Sequence, residues 1–159
     1  TSLSKTEIDV NKVLSSAVEL NRKLIEESTD NFALSLGEGL PPVPAHPNQL
    51  EQVFINLIQN ACQALSESSE GISIVSEYLH EENLVRIRVE DQGGGIEKEE
   101  LDKVTDPFYT TKPVGEGTGL GLSVSYSIVQ EHGGELEIFS EPGRGTKVAV
   151  TLPVEENDL

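Results

Sequence analysis

Residues 106–125 read DPFYTTKPVGEGTGLGLSVS, and the fold turns on how this stretch is read. Its first half lacks any hydrophobic period and carries Pro107 and Pro113, so 105–116 reads as a mobile loop with a single cation, Lys112. Its second half threads Gly115, Gly117, Gly119 and Gly121 into Leu120, Leu122, Val124 and Ile128, which recur at helical spacing. A helix is therefore expected over about 118–131, stopped by Gly133 and Gly134. Closely spaced glycines at a helix N-terminus expose backbone N–H donors towards a polyphosphate. The bland alternative is a glycine-rich linker, but a linker does not run straight into an apolar helical stripe.

Upstream lies DQGGGI (91–96), directly after the strand pattern LVRIRVE (84–90). Asp91 followed by Gly93, Gly94 and Gly95 lets the backbone turn sharply and a flat ligand approach closely. A carboxylate there can accept a hydrogen bond from an exocyclic amine such as that of adenine; a plain strand-to-helix turn with an acidic cap fits equally well. An acidic helix is expected at 97–102. Further upstream, ISIVSEYL (72–79) pairs with 84–90 as a hairpin through HEEN. Before it, NLIQNACQAL (56–65) lies on a helix of about 47–66 opened by Pro47. Asn56 and Asn60 are four residues apart and share one face, where amide oxygens suit Mg²⁺; a solvated polar face is the alternative.

The outer segments complete the layout. Residues 1–8 read as a polar lead-in, the end of a linker, followed by an amphipathic helix over about 9–27 with Asp9 as N-cap. NFALSL (31–36) reads as a strand, and PPVPAHP (41–47) is expected to block regular structure. ELEIFS (135–140) and TKVAVTL (146–152) flank the turn Pro142–Gly145, where turn chemistry explains the glycines and Thr146 could reach a ligand. The tail 154–159 is acidic. One domain over 9–153 follows: an α/β two-layer sandwich with a mixed five-stranded sheet and about three helices on one face.

The 159 residues carry 28 Asp and Glu against 11 Lys and Arg, a net charge of −17. No basic stripe is available for a nucleic-acid backbone, and an anionic lipid surface would repel the chain. An anionic ligand must then be held by a cation, a metal or backbone N–H groups. The single cysteine, Cys62, reads as a buried apolar residue, and the lack of a second one points to a reducing compartment. No apolar run approaches about 18 residues and no signal peptide opens the chain, so it reads as soluble, and the missing initiator Met suggests a fragment or processed chain. Walker, dinucleotide, zinc and nucleophile-elbow motifs are all missing.

Taken in order, NLIQNA, DQGGG, DPFYTTK and GEGTGLGLS, with the closing HGGELEIFSEPGRGTKVAVTLP, resemble the N, first glycine, phenylalanine and second glycine boxes of the catalytic ATP-binding domain of sensor histidine kinases. The DPF-[FY]-TTK spelling is similar to that of the nitrogen-regulatory kinases. The resemblance runs from about Asp9 to Pro153. It implies a Bergerat ATP-binding fold with a mobile ATP lid and Mg²⁺·ATP as ligand. It assigns Asp91 to the adenine amine, Asn60 to Mg²⁺ and Asn56 to the neighbourhood of the phosphates. Gly93 and Gly95 would shape the adenine pocket, and Phe108 would anchor the lid. Lys112 with the N–H groups of Gly117, Gly119 and Gly121 would hold the phosphates, joined by Thr111, Thr118 and Leu120. Thr146 would support the Asp91 end.

The implied reaction is γ-phosphoryl transfer to a histidine on a separate dimerisation domain, upstream of a response regulator, in the cytoplasm, with no nucleic acid and no direct membrane contact. The family's phosphoacceptor motif is absent, and His46, His80 and His132 all read as structural. Two other readings remain: a nucleotide-sensing module without catalysis, and a slow ATPase clamp like gyrase or MutL. Those clamps place a Glu one helical turn before the Mg²⁺ asparagine, where this chain has Asn56. A protein-serine kinase of the anti-sigma-factor type shares the boxes but not usually the TTK lid.

Overall fold

The computed structural model describes residues 5–97, 99 and 120–155. The expected lid at 105–117 and four of the six residues of the acidic helix at 97–102 lie outside them.

The first element is a strand, β1 (Thr6–Ile8), antiparallel to β3 (Val43–Ala45), with Ile8 opposite Val43. From the sequence both are expected to be irregular, the first as lead-in and the second because of its prolines. Burial of Ile8, Val43 and Ala45 drives the pairing. A two-stranded ribbon is all edge, where Pro44 needs no N–H partner. Residues 6–8 thus form a strand where the sequence suggests an irregular lead-in.

Asp9 caps α1 (Val10–Leu20) by accepting the Asn11 N–H at 3.0 Å. The single helix expected over 9–27 is two, because the chain breaks at Asn21 before α2 (Arg22–Ser28). The Asn21 amide donates to the Ala17 carbonyl at 2.8 Å, taking the acceptor that would continue the helix. Pro47 opens α3 (Pro47–Ala64), which buries Leu50, Phe54, Leu57, Ile58 and Ala61, with Cys62 also buried. With α4 (Leu120–Glu131), the described residues hold four helices rather than about three. None of these is long and apolar enough to cross a membrane.

The main sheet is the mixed five-stranded one expected: β2 (Phe32–Ser35), β4 (Ile72–Leu79), β5 (Leu84–Asp91), β7 (Gly145–Pro153) and β6 (Glu135–Glu141), in that spatial order. Only β2 and β4 are parallel. Alternation puts Ile72, Ile74, Val85, Ile87, Val150 and Leu152 into one core with α1 and α3. The other face, which no described helix covers, carries charged pairs such as Arg86 with Glu77 at 2.9 Å. Two ends of this architecture hold the candidate site residues: the C-terminal end of β5, and the seam where α4 starts against α3.

Candidate nucleotide site

Helical spacing puts Asn56 and Asn60 on the side of α3 that α4 covers. The Asn56 amide nitrogen donates to the Gly121 carbonyl and to Ser125 Oγ, both at 3.2 Å, while its oxygen accepts from Gln52 Nε2 at 2.8 Å. Its hydrogen-bonding groups thus join the first turns of α4 to α3. Asn60 lies one turn on, and a side-chain carbon placed on Gly121 would meet its Nδ2 at 3.8 Å. Gly121 thus puts no side chain of its own between the start of α4 and the Asn60 carboxamide.

Asp91 ends β5, paired with Ile72 on one side and Thr146 on the other. By strand alternation its side chain shares the inner face of the sheet with Val85, Ile87 and Val89. Its Oδ1 accepts the Gly93 N–H at 2.9 Å. Burial pushes its pKa up to about 6; the N–H groups of Gly93 and Thr146 pull the other way, and the charge of Glu70 adds a smaller upward push. Cys62, on α3, senses the Asp91 charge: burial raises the thiol pKa, Ser28 pulls it back, and that charge adds a smaller upward push. A carboxyl held half-buried at this cost is a candidate for recognising a ligand.

The turn after Asp91 is clamped on three sides. Gln92 exchanges two hydrogen bonds with Gly71: its N–H donates to the Gly71 carbonyl at 3.0 Å and its side-chain oxygen accepts the Gly71 N–H at 2.7 Å. A side chain on Gly93 would strike the Ala64 carbonyl at the end of α3. Gly95, at φ +75°, presses on the Glu141 carbonyl, and the Gly143 N–H donates to the Gly94 carbonyl at 2.8 Å. Gly93 and Gly95 therefore hold the turn against its neighbours, whatever they also do for a ligand.

Thr146 sits opposite Asp91, but its hydroxyl is 2.7 Å from Ser140 Oγ, so its contribution to the Asp91 carboxyl comes from its backbone N–H. Phe108, Thr111, Lys112, Gly117, Thr118 and Gly119 lie outside the described residues, as does the side chain of Leu120. The sequence reading misses Ser125 and Ser140, since neither has a spacing that marks it; only their partners in space do.

The histidines have structural places. His132 is buried, its Nδ1 2.8 Å from the Ile128 carbonyl and its Nε2 accepting the His46 N–H at 3.1 Å. This requires the neutral ring, and burial lowers its pKa. His80 packs edge-on to Tyr78. Two shallow depressions, of about 270 and 510 Å³, border Asp91 and Arg144. Phe139 and Lys147 line the first and Ala33 and Ser73 the second, all on the sheet face opposite the core. The Asp91 carboxyl lies on the inner face, so neither depression is its pocket.

Residues 45–156 match the family described as histidine kinase-, DNA gyrase B-, and HSP90-like ATPase. Sporulation kinase E of Bacillus subtilis (strain 168) is 37% identical over 148 residues, covering 93% of this chain and 20% of that protein. Sensor histidine kinase ZraS of Escherichia coli (strain K12) is 34% identical over 155 residues, covering 97% and 32%. The chain thus spans between a fifth and a third of the length of these relatives. Among solved structures, the nucleotide-free catalytic domain of histidine kinase ThkA matches with a TM-score of 0.82 at 29% identity, over 96% of this chain and 97% of that one.

Proposed function

The chain belongs to the histidine kinase-, DNA gyrase B-, and HSP90-like ATPase family, and we propose that it binds Mg²⁺·ATP and donates the γ-phosphoryl group to a histidine on a separate dimerisation domain. Its fold is the Bergerat α/β sandwich of the histidine kinase catalytic domains. The observation that carries the proposal is the Asp91 carboxyl, held half-buried at the end of β5 by the N–H groups of Gly93 and Thr146. An ionised carboxylate has about four acceptor sites, so two N–H partners leave room for an amine. The start of α4, with Gly121 close to Asn60, would supply the complementary end, where N–H groups would face phosphate.

In this reading Asp91 accepts the adenine amine, and the Asn60 carboxamide oxygen would hold Mg²⁺, which neutralises phosphate charge when bound. Lys112 and the N–H groups of Gly117, Gly119 and Gly121 would meet the phosphates, with Thr111, Thr118 and Leu120 beside them and Phe108 at the base of the lid. In the transfer, an imidazole nitrogen forms the N–P bond as the bond from the γ-phosphorus to the bridging oxygen breaks, and ADP leaves. A neutral imidazole needs no strong base, so the chain's part is to position and to exclude water. Water activation by a clamp ATPase needs a base at position 56; an amide cannot serve, and that of Asn56 is engaged with α4. A response regulator is then the expected acceptor downstream.

The test is calorimetric titration with a non-hydrolysable ATP analogue with and without Mg²⁺. Binding strengthened by Mg²⁺ and weakened in Asn60→Ala is expected; no binding under either condition overturns the reading. With an acceptor domain and ATP, an acid-labile, base-stable phosphoprotein should form. Phosphoserine, or hydrolysis faster than about 1 s⁻¹ by the chain alone, would instead favour a rival mechanism.

A further inference from the structure

A hydroxyl that no role above uses lies behind the Asp91 turn. Ser140, the penultimate residue of β6, is partly buried. Its Oγ accepts the Ile96 N–H at 2.8 Å, lies 3.1 Å from the Gly145 carbonyl and 2.7 Å from Thr146 Oγ1. A serine hydroxyl has one proton and two lone pairs. All three contacts are satisfied at once in one arrangement: Ser140 donates to the Gly145 carbonyl and accepts from the Ile96 N–H and the Thr146 hydroxyl.

Each partner bears on Asp91. Ile96 closes the 91–96 turn. Gly145, at φ +98°, packs against the Asp91 carbonyl so closely that a side chain there would strike it. Thr146 is the β7 residue opposite Asp91, and its backbone N–H reaches the Asp91 carboxyl. One oxygen thus ties the end of the glycine turn to the two β7 residues that border Asp91.

We propose that Ser140 is a positioning residue for nucleotide recognition, its hydroxyl locking the 91–96 turn to the β6–β7 turn so that the Asp91 carboxyl meets the base in one orientation. The proposal rests on the nucleotide reading above. Ser140 itself touches no ligand; it acts through Gly145, Thr146 and Ile96.

The test compares wild type, Ser140→Ala, Ser140→Thr and Asp91→Ala. One measurement is calorimetric binding of Mg²⁺·AMPPNP; the other is the ¹³C titration of the Asp91 carboxyl in the ligand-free protein. Ser140→Ala should weaken binding about tenfold. It should also raise the Asp91 midpoint above the wild-type value of about 6, because the N–H donors of Gly93 and Thr146 are no longer held on the carboxyl. Ser140→Thr, which keeps the hydroxyl, should restore both. A purely structural role would lower thermal stability and leave the midpoint unmoved. Should Ser140→Ala not fold, Thr146→Val removes one of the three bonds and carries the same two measurements. If wild type binds and Asp91→Ala does not, but the hydroxyl variants match wild type in affinity and midpoint, the proposal alone falls. If wild type does not bind AMPPNP, the nucleotide reading falls and takes this proposal with it.

Discussion

At the Asp91 end of the site, a side chain added to Gly93, Gly95 or Gly145 would strike a backbone carbonyl; at the α3–α4 end, one added to Gly121 would meet Asn56 and Asn60 at 3.8 Å, an ordinary contact. Glycines that look alike along the chain therefore do different work. Gly93, Gly95 and Gly145 are demanded by the fold, which brings the end of α3 and the β6–β7 turn onto the same few residues. Gly121 is not demanded by packing, because an added carbon would make only ordinary contacts with Asn56 and Asn60. The first end is built tight around one carboxyl; the second tolerates a side chain.

The sharpest way to break this contrast is Gly145→Ala. It combines a φ of +98° with a collision at the Asp91 carbonyl, so a loss of about 3 kcal/mol in urea unfolding is expected. A change well under about 1 kcal/mol would mean the turn is slack and the tight end is not tight.

Next is Asp91→Ala, which separates function from folding. Nucleotide affinity should fall about 10–100-fold, as one hydrogen bond to a charged acceptor is lost. Stability at neutral pH should hold or rise. A carboxyl raised from 3.8 to about 6 by folding stabilises below 3.8 and loses that contribution as pH rises through 6. The advantage of Asp91→Ala over wild type should therefore shrink as pH falls from about 7 to 4, followed by thermal unfolding.

The same shift sharpens the binding prediction. The amine of a base requires the ionised carboxyl, so affinity should decline as pH drops through about 6, with proton release on binding at lower pH. Calorimetry at about pH 5.5, just below that midpoint, in buffers of different ionisation enthalpy measures the release, which should vanish in Asp91→Asn. Identical proton counts in the two proteins would remove Asp91 from the contact.

The smallest effect on folding belongs to Gly121→Ala. Alanine is the better helix former by about 1 kcal/mol, and nothing at 3.8 Å resists it, so stability should stay level or rise slightly. Weaker binding of the ATP analogue alongside unchanged stability would show this position serving a ligand. His132→Gln supplies a control away from both ends. The lowered pKa of His132 gives stability that is present above about 6.5 and lost as pH falls below it, so removing the ring should flatten the acid limb of the stability profile without touching affinity.

Much of this is legible in the chain because it depends on local pattern. Period-two alternation marks the long strands, helical spacing marks α3 and α4, and Asp9 and Pro47 mark helix starts. What the pattern misreads depends on partners distant in sequence or on a side chain that competes with the backbone. Thr6–Ile8 and Val43–Ala45 are strands only because each supplies the other's hydrogen bonds. The break at Asn21 comes from a side chain reaching back to Ala17, within a spacing that reads as continuous helix. At the site, Asp91 and Asn60 are visible as residue types after a strand and along a helix. The engagement of the Asn56 amide with Gly121 and Ser125, and of the Ser140 hydroxyl with Ile96, Gly145 and Thr146, is not.

The sequence by itself determined the sandwich, the order of its segments and the residue types of the candidate nucleotide site, because periodicity, turn chemistry and motif spacing are properties of neighbouring residues. Only the tertiary structure decided which polar groups are engaged within the protein and which glycines have room, because hydrogen-bond satisfaction and close contact depend on segments brought together from across the chain. Asp91 shows both: its place in the chain names it, and the burial that lifts its pKa to about 6 comes from the fold around it.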